Sequence, residues 1–288
     1  IYDGNTTVSS SNLSLTGLIG SETLTLSGSG TVANSAVGDN KTVTNVNFTI
    51  SNNSGLASNY NLSGALQMDI TKRPVSASGS KVYDGNTTVS GSNLTTFSNL
   101  VGSETLSATG SGSVVSENVG TGKTVTLGTL ALANGTGSAS NYDISGASFD
   151  INRRPLTLAG LKIYDGDTTI QGSQITTFTN IVGSETLSVT GSGTVSSEDV
   201  GNAKTLTTAG LSLVDNSGQA NNYSISSATA SITQRPVNLS GSRAYDSTRT
   251  AAGSDLSYTH LVSGETLGLT GSGVLGSPAA GSRTIVDA

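Results

Sequence analysis

The recurring group with the most obvious chemistry is an aspartate set behind a tyrosine. Tyr-Asp-Gly begins at Tyr2, Tyr83 and Tyr164, and a Tyr-Asp-Ser variant begins at Tyr245. Carboxylates held in a turn beside amide and carbonyl oxygens form the donor set that calcium takes. The third copy is the most acidic, with Asp165 and Asp167 flanking Gly166, so these two are the calcium candidates of the chain. The position after the glycine is otherwise Asn5, Asn86 or, in the fourth copy, Thr248, and no acidic ladder repeats. An aspartate capping its own turn, with the tyrosine packed at a core edge, accounts for the same residues without an ion. No cofactor is expected.

A second carboxylate recurs at Glu22, Glu104, Glu185 and Glu265 inside Gly-Ser-Glu-Thr-Leu, or Ser-Gly-Glu-Thr-Leu in the fourth copy. Acid–base work on a glycosidic bond needs two carboxylates about 5–10 Å apart in a cleft, and no second member recurs beside these. The expected role is structural: a bond to loop backbone, or an ion pair with Lys41, Lys123, Lys204 or Arg283. Gly120-Thr121-Gly122-Lys123-Thr124 has the look of a phosphate loop but lacks the four-residue spacer. His260, the single histidine, has no nucleophile or metal partner repeated around it. With no recurrent nucleophile, base or metal cluster, the chain reads as a non-enzyme.

These groups are positioned by an internal repeat. The tyrosine markers are spaced 81 residues apart at each step (83−2, 164−83 and 245−164). Arg-Pro recurs in the same register at Arg73, Arg154 and Arg235, and Asn-Tyr at Tyr60, Tyr142 and Tyr223. A unit of this length is large enough to bury a small core of its own, which predicts successive self-contained bodies rather than one continuous coil. Starting each copy at its proline gives residues 1–73 (without its first strand), 74–154, 155–235 and 236–288 (truncated). Asp69 with Lys72-Arg73, and Asp150 with Arg153-Arg154, are candidate ion pairs pinning neighbouring copies.

Composition narrows the class. Hydrophobic residues make up 34% and charged residues 11%, so cores are thin and strands short. Val75 and Ala77 alternate with serine, as do Leu156/Leu158 and Val237/Leu239 with polar residues, which is strand periodicity. The apolar group Leu94, Phe97, Leu100 and Val101 accommodates one helical or 3₁₀ turn. Gly110-Ser111-Gly112 reads as a turn, and Tyr142/Ile144 with Phe149/Ile151 as a hairpin about Ser145-Gly146. The expected fold is all-β: tandem small β-sandwich or β-grasp-like domains arranged as an elongated rod. A net charge of −6 argues against nucleic acid, and no run approaches the ~18 apolar residues of a membrane span. The absence of cysteine excludes disulfides and thiol chemistry.

Taken together, Lys-Val-Tyr-Asp-Gly-Asn-Thr-Thr, Gly-Ser-Glu-Thr-Leu, Asn-Tyr and Ile-x-x-Arg-Pro resemble the YDG repeats, related to MBG modules, of very large filamentous-haemagglutinin-like adhesins. Many of those bacterial proteins are exported by two-partner secretion. The resemblance implies a secreted or cell-surface, non-catalytic stalk that extends an adhesive region. Its partners would be neighbouring repeats and, through the full-length protein, polysaccharide, matrix or a host surface. Two alternatives stand beside it. One is a multivalent glycan- or matrix-binding module, although aromatics are only 4% and tryptophan is absent, leaving few rings to stack on sugars. The other is a filament subunit that self-assembles by strand addition.

Overall fold

The computed structural model describes residues 1–287, and among them every regular element is a strand or a three-residue 3₁₀ turn. The backbone divides into two compact units, Ile1–Arg153 and Arg154–Ala288.

The copy at 155–235 shows the plan most fully. A four-stranded mixed sheet runs in the order Ile175–Thr179, Arg154–Ile163, Tyr223–Thr233, Gly201–Thr205. Its two central members are the first and last strands of the copy, paired in parallel from Arg154 opposite Tyr223 to Ile163 opposite Thr233. A second, antiparallel sheet holds Thr169–Gln171, Leu187–Thr194 and Leu211–Asp215. Alternation then does what a pleat requires: Leu156 and Leu158 are fully buried, as are Ile170 and Ile232, while the residues between face outward. The mixed sheet has the first-beside-last pairing of a grasp fold, and the second sheet supplies a further layer of strands. The copy at 74–154 repeats the plan, with Arg73–Val82 parallel to Tyr142–Asn152.

Three local expectations are corrected. The last strand is not a hairpin: Tyr142–Asn152 is one strand whose register shifts between Ile144 and Gly146, so Ser145-Gly146 is a bulge. A small polar pair inside a strand looks like a turn until its long-range partner is known. The 3₁₀ turn lies earlier than expected, at Gly91–Asn93, and Leu94–Ser98 is a strand. Gly-Ser-Gly is not a hairpin turn either. Leu187–Thr194 runs through Gly191, pairing with Leu211–Asp215 before it and with Thr169–Gln171 after it. Gly191 has φ +81°, and a Cβ there would stand 2.0 Å from the Gly210 carbonyl oxygen, so only glycine lets the strand change partners at this point.

The copies at either end are paired differently. The first has the sheet Thr7–Ser9, Ser29–Val32, Gly38–Thr44, Gln67–Ile70, with Leu24–Ser27 paired to Thr49–Asn52. In the fourth, Asn238–Gly241 pairs with Leu256–Thr259, and Thr250–Ala252, Ser272–Leu275 and Ile285–Asp287 form a separate sheet. Among the described residues, neither carries the parallel central pair.

The expectation of self-contained bodies fails within the first unit. One apolar cluster joins Tyr2, Val8, Val32, Val43 and Ile70 to Val75, Leu106 and Tyr142, crossing the Arg73-Pro74 boundary. Strand Gln67–Ile70 ends only two residues before strand Arg73–Val82 begins, too short a connection to separate the two cores.

Candidate functional site

Within each unit, recurring tyrosines and glutamates meet where one copy joins the next. Glu104 sits in a tight turn closed by its own N–H on the Val101 carbonyl, 3.0 Å. One carboxylate oxygen accepts the Tyr142 hydroxyl at 2.5 Å, from the same copy. The other accepts the Tyr2 hydroxyl at 2.6 Å, from the preceding copy. The two rings cross edge to face, 5.3 Å between centroids and 81° between planes. The Val101 N–H donates to the Tyr142 oxygen at 3.1 Å, so that phenol is satisfied as donor and acceptor. Gly137 lies against Glu104, where a Cβ would come within 2.5 Å of the carboxylate.

The same parts recur. The Tyr60 hydroxyl donates to Glu22, and the Tyr223 hydroxyl donates to Glu185 at 2.6 Å. In the second unit the Tyr164 hydroxyl donates across copies to Glu265. A phenol that gives its proton to a carboxylate resists losing it. The Glu104 bond, followed by burial, pushes Tyr2 up to about 12, and the Glu265 bond does the same for Tyr164. For Tyr223, burial comes first and the Glu185 bond second, again to about 12.

The glutamates therefore meet tyrosine hydroxyls, whereas Lys41, Lys123, Lys204 and Arg283, expected to pair with them, are seen on other partners. Lys41 instead donates to the Asn34 side chain at 2.7 Å and the Ala36 carbonyl at 2.6 Å. Lys123 reaches the Ser116 carbonyl at 3.3 Å, Lys204 the Ser197 carbonyl at 2.9 Å, and Arg283 the Ala280 carbonyl at 3.0 Å. Gly120–Thr124 is a strand with a register shift rather than a phosphate loop.

The Arg-Pro arginine is the second part of the joint. Arg73 donates through Nε to the Asn99 carbonyl at 2.7 Å, through Nη2 to the Asn99 side chain at 2.8 Å, and through Nη1 back to the Tyr2 carbonyl at 3.3 Å. Arg235 likewise spans the His260 carbonyl, 2.6 Å, and the Tyr164 carbonyl, 3.4 Å. Arg154 grips Asn180 at 2.7 and 2.6 Å. Asn99, Asn180 and His260 all have positive φ, 68°, 76° and 69°, so one left-handed residue turns its carbonyl to the guanidinium in each copy. His260 thus has a structural post that its isolation in the sequence did not reveal. The junction aspartates, expected to pair with the neighbouring basic residues, accept backbone N–H groups. Asp69 accepts the Asn40 N–H at 2.8 Å, and Asp150 the Gly122 N–H at 2.7 Å. Asn141, half of the Asn-Tyr pair, also reaches across the joint. It is buried and accepts the Val37 N–H of the preceding copy at 3.0 Å.

The Tyr-Asp-Gly turn does gather oxygens around a cation, but the cation belongs to the chain. The Lys162 ammonium contacts Asp165 Oδ1 at 2.6 Å, the Thr169 carbonyl at 3.0 Å and the Asp167 carbonyl. Its side chain is 1% exposed. Asp167 turns its carboxylate onto the N–H and hydroxyl of Thr169, both at 2.9 Å, and these bonds hold it below the usual carboxylate range. Lys81 fills the second copy's turn, 2.8 Å from Asp84 Oδ1, 2.8 Å from the Asn86 carbonyl and 2.9 Å from the Thr88 carbonyl. Arg243 takes this place in the fourth, paired with Asp246, whose carboxyl it draws down to about 2. Among the described residues, no three His, Cys, Asp or Glu side chains converge as metal ligands.

None of the curated proteins and none of the solved structures compared with the chain matches it. A model of the YDG domain matches three successive segments, residues 1–68, 69–149 and 152–232. These three segments follow the period of the chain and cover most of its length, and the chain belongs to the YDG domain family.

Proposed function

We propose that these repeats are a non-catalytic extracellular spacer that carries an adhesive region of a bacterial surface or secreted protein away from the cell. The observation that supports this reading is how the recurring polar groups are used. Both Glu104 oxygens, the Tyr2 and Tyr142 hydroxyls and the Lys162 ammonium are directed at other residues of the chain. Groups committed to internal partners hold copies together and leave little with which to grip a substrate. No helix of the described residues is long and apolar enough to cross a membrane, in keeping with a module that projects from a surface rather than inserting in it.

Two measurements test the proposal. Duplicating residues 74–154 within the chain adds a constant increment to the maximum dimension in small-angle scattering if the copies are spacers. An unchanged dimension overturns it. The intact chain gives no saturable signal on a panel of glycans and matrix polysaccharides, and saturable binding transfers the function to the multivalent binding module.

A further inference from the structure

The two complete copies place their first and last strands side by side and parallel, and this has a mechanical consequence. The polypeptide enters the second copy at Arg73 and leaves it at Asn152. Arg73 lies opposite Tyr142, and Val82 opposite Asn152, so these two points are at opposite ends of one strand pair. Tension along the chain therefore slides Arg73–Val82 against Tyr142–Asn152. The ladder bonds are loaded together rather than one after another. The third copy repeats the arrangement from Arg154 to Thr233. Everything between the paired strands hangs outside the loaded path.

We propose that this strand pair is a shear clamp and that bearing tension is a second function of each complete copy. Its setting rests on the spacer reading, but its strength does not. The pair is built for the task. Ten residues of each first strand find a partner, and the flanking side chains Val75, Phe149 and Ile151 in one copy and Leu156, Leu158 and Ile232 in the other are buried, which covers one face of the ladder. The one irregularity is closed by a side chain. Where the register shifts at the bulge, the Ser145 hydroxyl donates to the Val75 carbonyl at 2.9 Å, and the Ser226 hydroxyl to the Leu156 carbonyl at 2.7 Å. The serine hydroxyl thus adds a bond between the two strands where the bulge interrupts the ladder.

Single-molecule pulling on the whole chain tests this directly, because the absence of cysteine lets attachment points be chosen. Lys72→Cys with Arg153→Cys, both exposed, loads the second copy in shear. Val82→Cys with Asn152→Cys attaches to register partners, both exposed, and peels the same strands apart from one end. The expected result is a rupture force several times lower in the second geometry. The first should release about 250 Å of chain in a single step, at ~3.5 Å per freed residue less the folded strand length. Equal forces in the two geometries overturn the proposal, since rupture would then not depend on shear. Ser145→Ala should lower the shear force while leaving the peeling force within error, and a drop of equal proportion in both means general destabilisation and counts against the clamp. Binding to a glycan would sink the spacer reading and leave these forces unaffected.

Discussion

Leu156 and Leu158 of the third copy are 0% exposed, whereas Val237 and Leu239, at the same positions of the fourth, are 37% and 40% exposed. The two stretches share a period-2 pattern, an Arg-Pro lead and an antiparallel neighbour. They differ in strand length, Arg154–Ile163 against Asn238–Gly241, and in partner: the third copy has Tyr223–Thr233 lying parallel against its first strand, and among the described residues that of the fourth pairs only with Leu256–Thr259. Local pattern decides which face of a strand is apolar. Burial of that face comes from a partner about seventy residues away, since Arg154 pairs with Tyr223.

The sharpest way to break this comparison is truncation of matched residues. Leu158→Ala should cost about 2–5 kcal/mol, the range for a leucine deleted from a packed core. Leu239→Ala should cost under about 1 kcal/mol, because less surface is withdrawn from water. Denaturant unfolding of the whole chain measures both, and equal costs would mean that the parallel partner contributes nothing to the core.

The joints permit a second contrast. Glu104→Ala removes the acceptor of two buried tyrosines, at roughly 1.5–3 kcal/mol for each charge-assisted bond. Glu22→Ala removes the acceptor of Tyr60 alone and should cost less. Hydrogen exchange at Tyr2 and Val101 reports the first, and an effect confined to one side of Arg73-Pro74 would show that the joint is not shared.

A smaller effect follows from pH. Tyr2, Tyr164 and Tyr223 have folded values near 12, above the ordinary phenol value of 10.0. A raised value means that the folded chain holds the proton more tightly. The stabilisation is therefore complete below pH 10 and is lost as pH climbs towards 12. Thermal unfolding followed across that window should show the joint loosening, and Tyr2→Phe should flatten the first unit's response.

The smallest effect separates the two readings of Asp165 and Asp167. Millimolar calcium should leave the melting temperature unmoved, because the turn's oxygens already surround Lys162. A rise that disappears in Asp165→Asn would restore the ion.

Much of this was legible in the residues. The period, the strand alternation at Leu156 and Leu158, and the structural role of the turn aspartate all follow from spacing and side-chain type. What stayed hidden depends on distant partners. Ser145-Gly146 carries every local mark of a turn, and only the register against Val75 and Ser76 makes it a bulge. Glu104 invited a cation by charge, yet its partners are neutral phenols that sequence distance sets 38 and 102 residues away. The lysine two positions before each Tyr-Asp-Gly tyrosine in the second and third copies was the missed signal for the cage. A long amine beside a carboxylate three residues on, in a strand otherwise apolar at that face, has few other places to go.

The joint also bears on how an array of this kind changes length. Each copy carries both a Tyr-Asp tyrosine and a recurring glutamate, and one joint within each unit pairs them, Tyr2 with Glu104 and Tyr164 with Glu265. Excising or duplicating one whole period removes or adds a matched pair, and the neighbours left behind present each other with the same two groups. A change of copy number in whole periods therefore needs no new pair of groups to be invented.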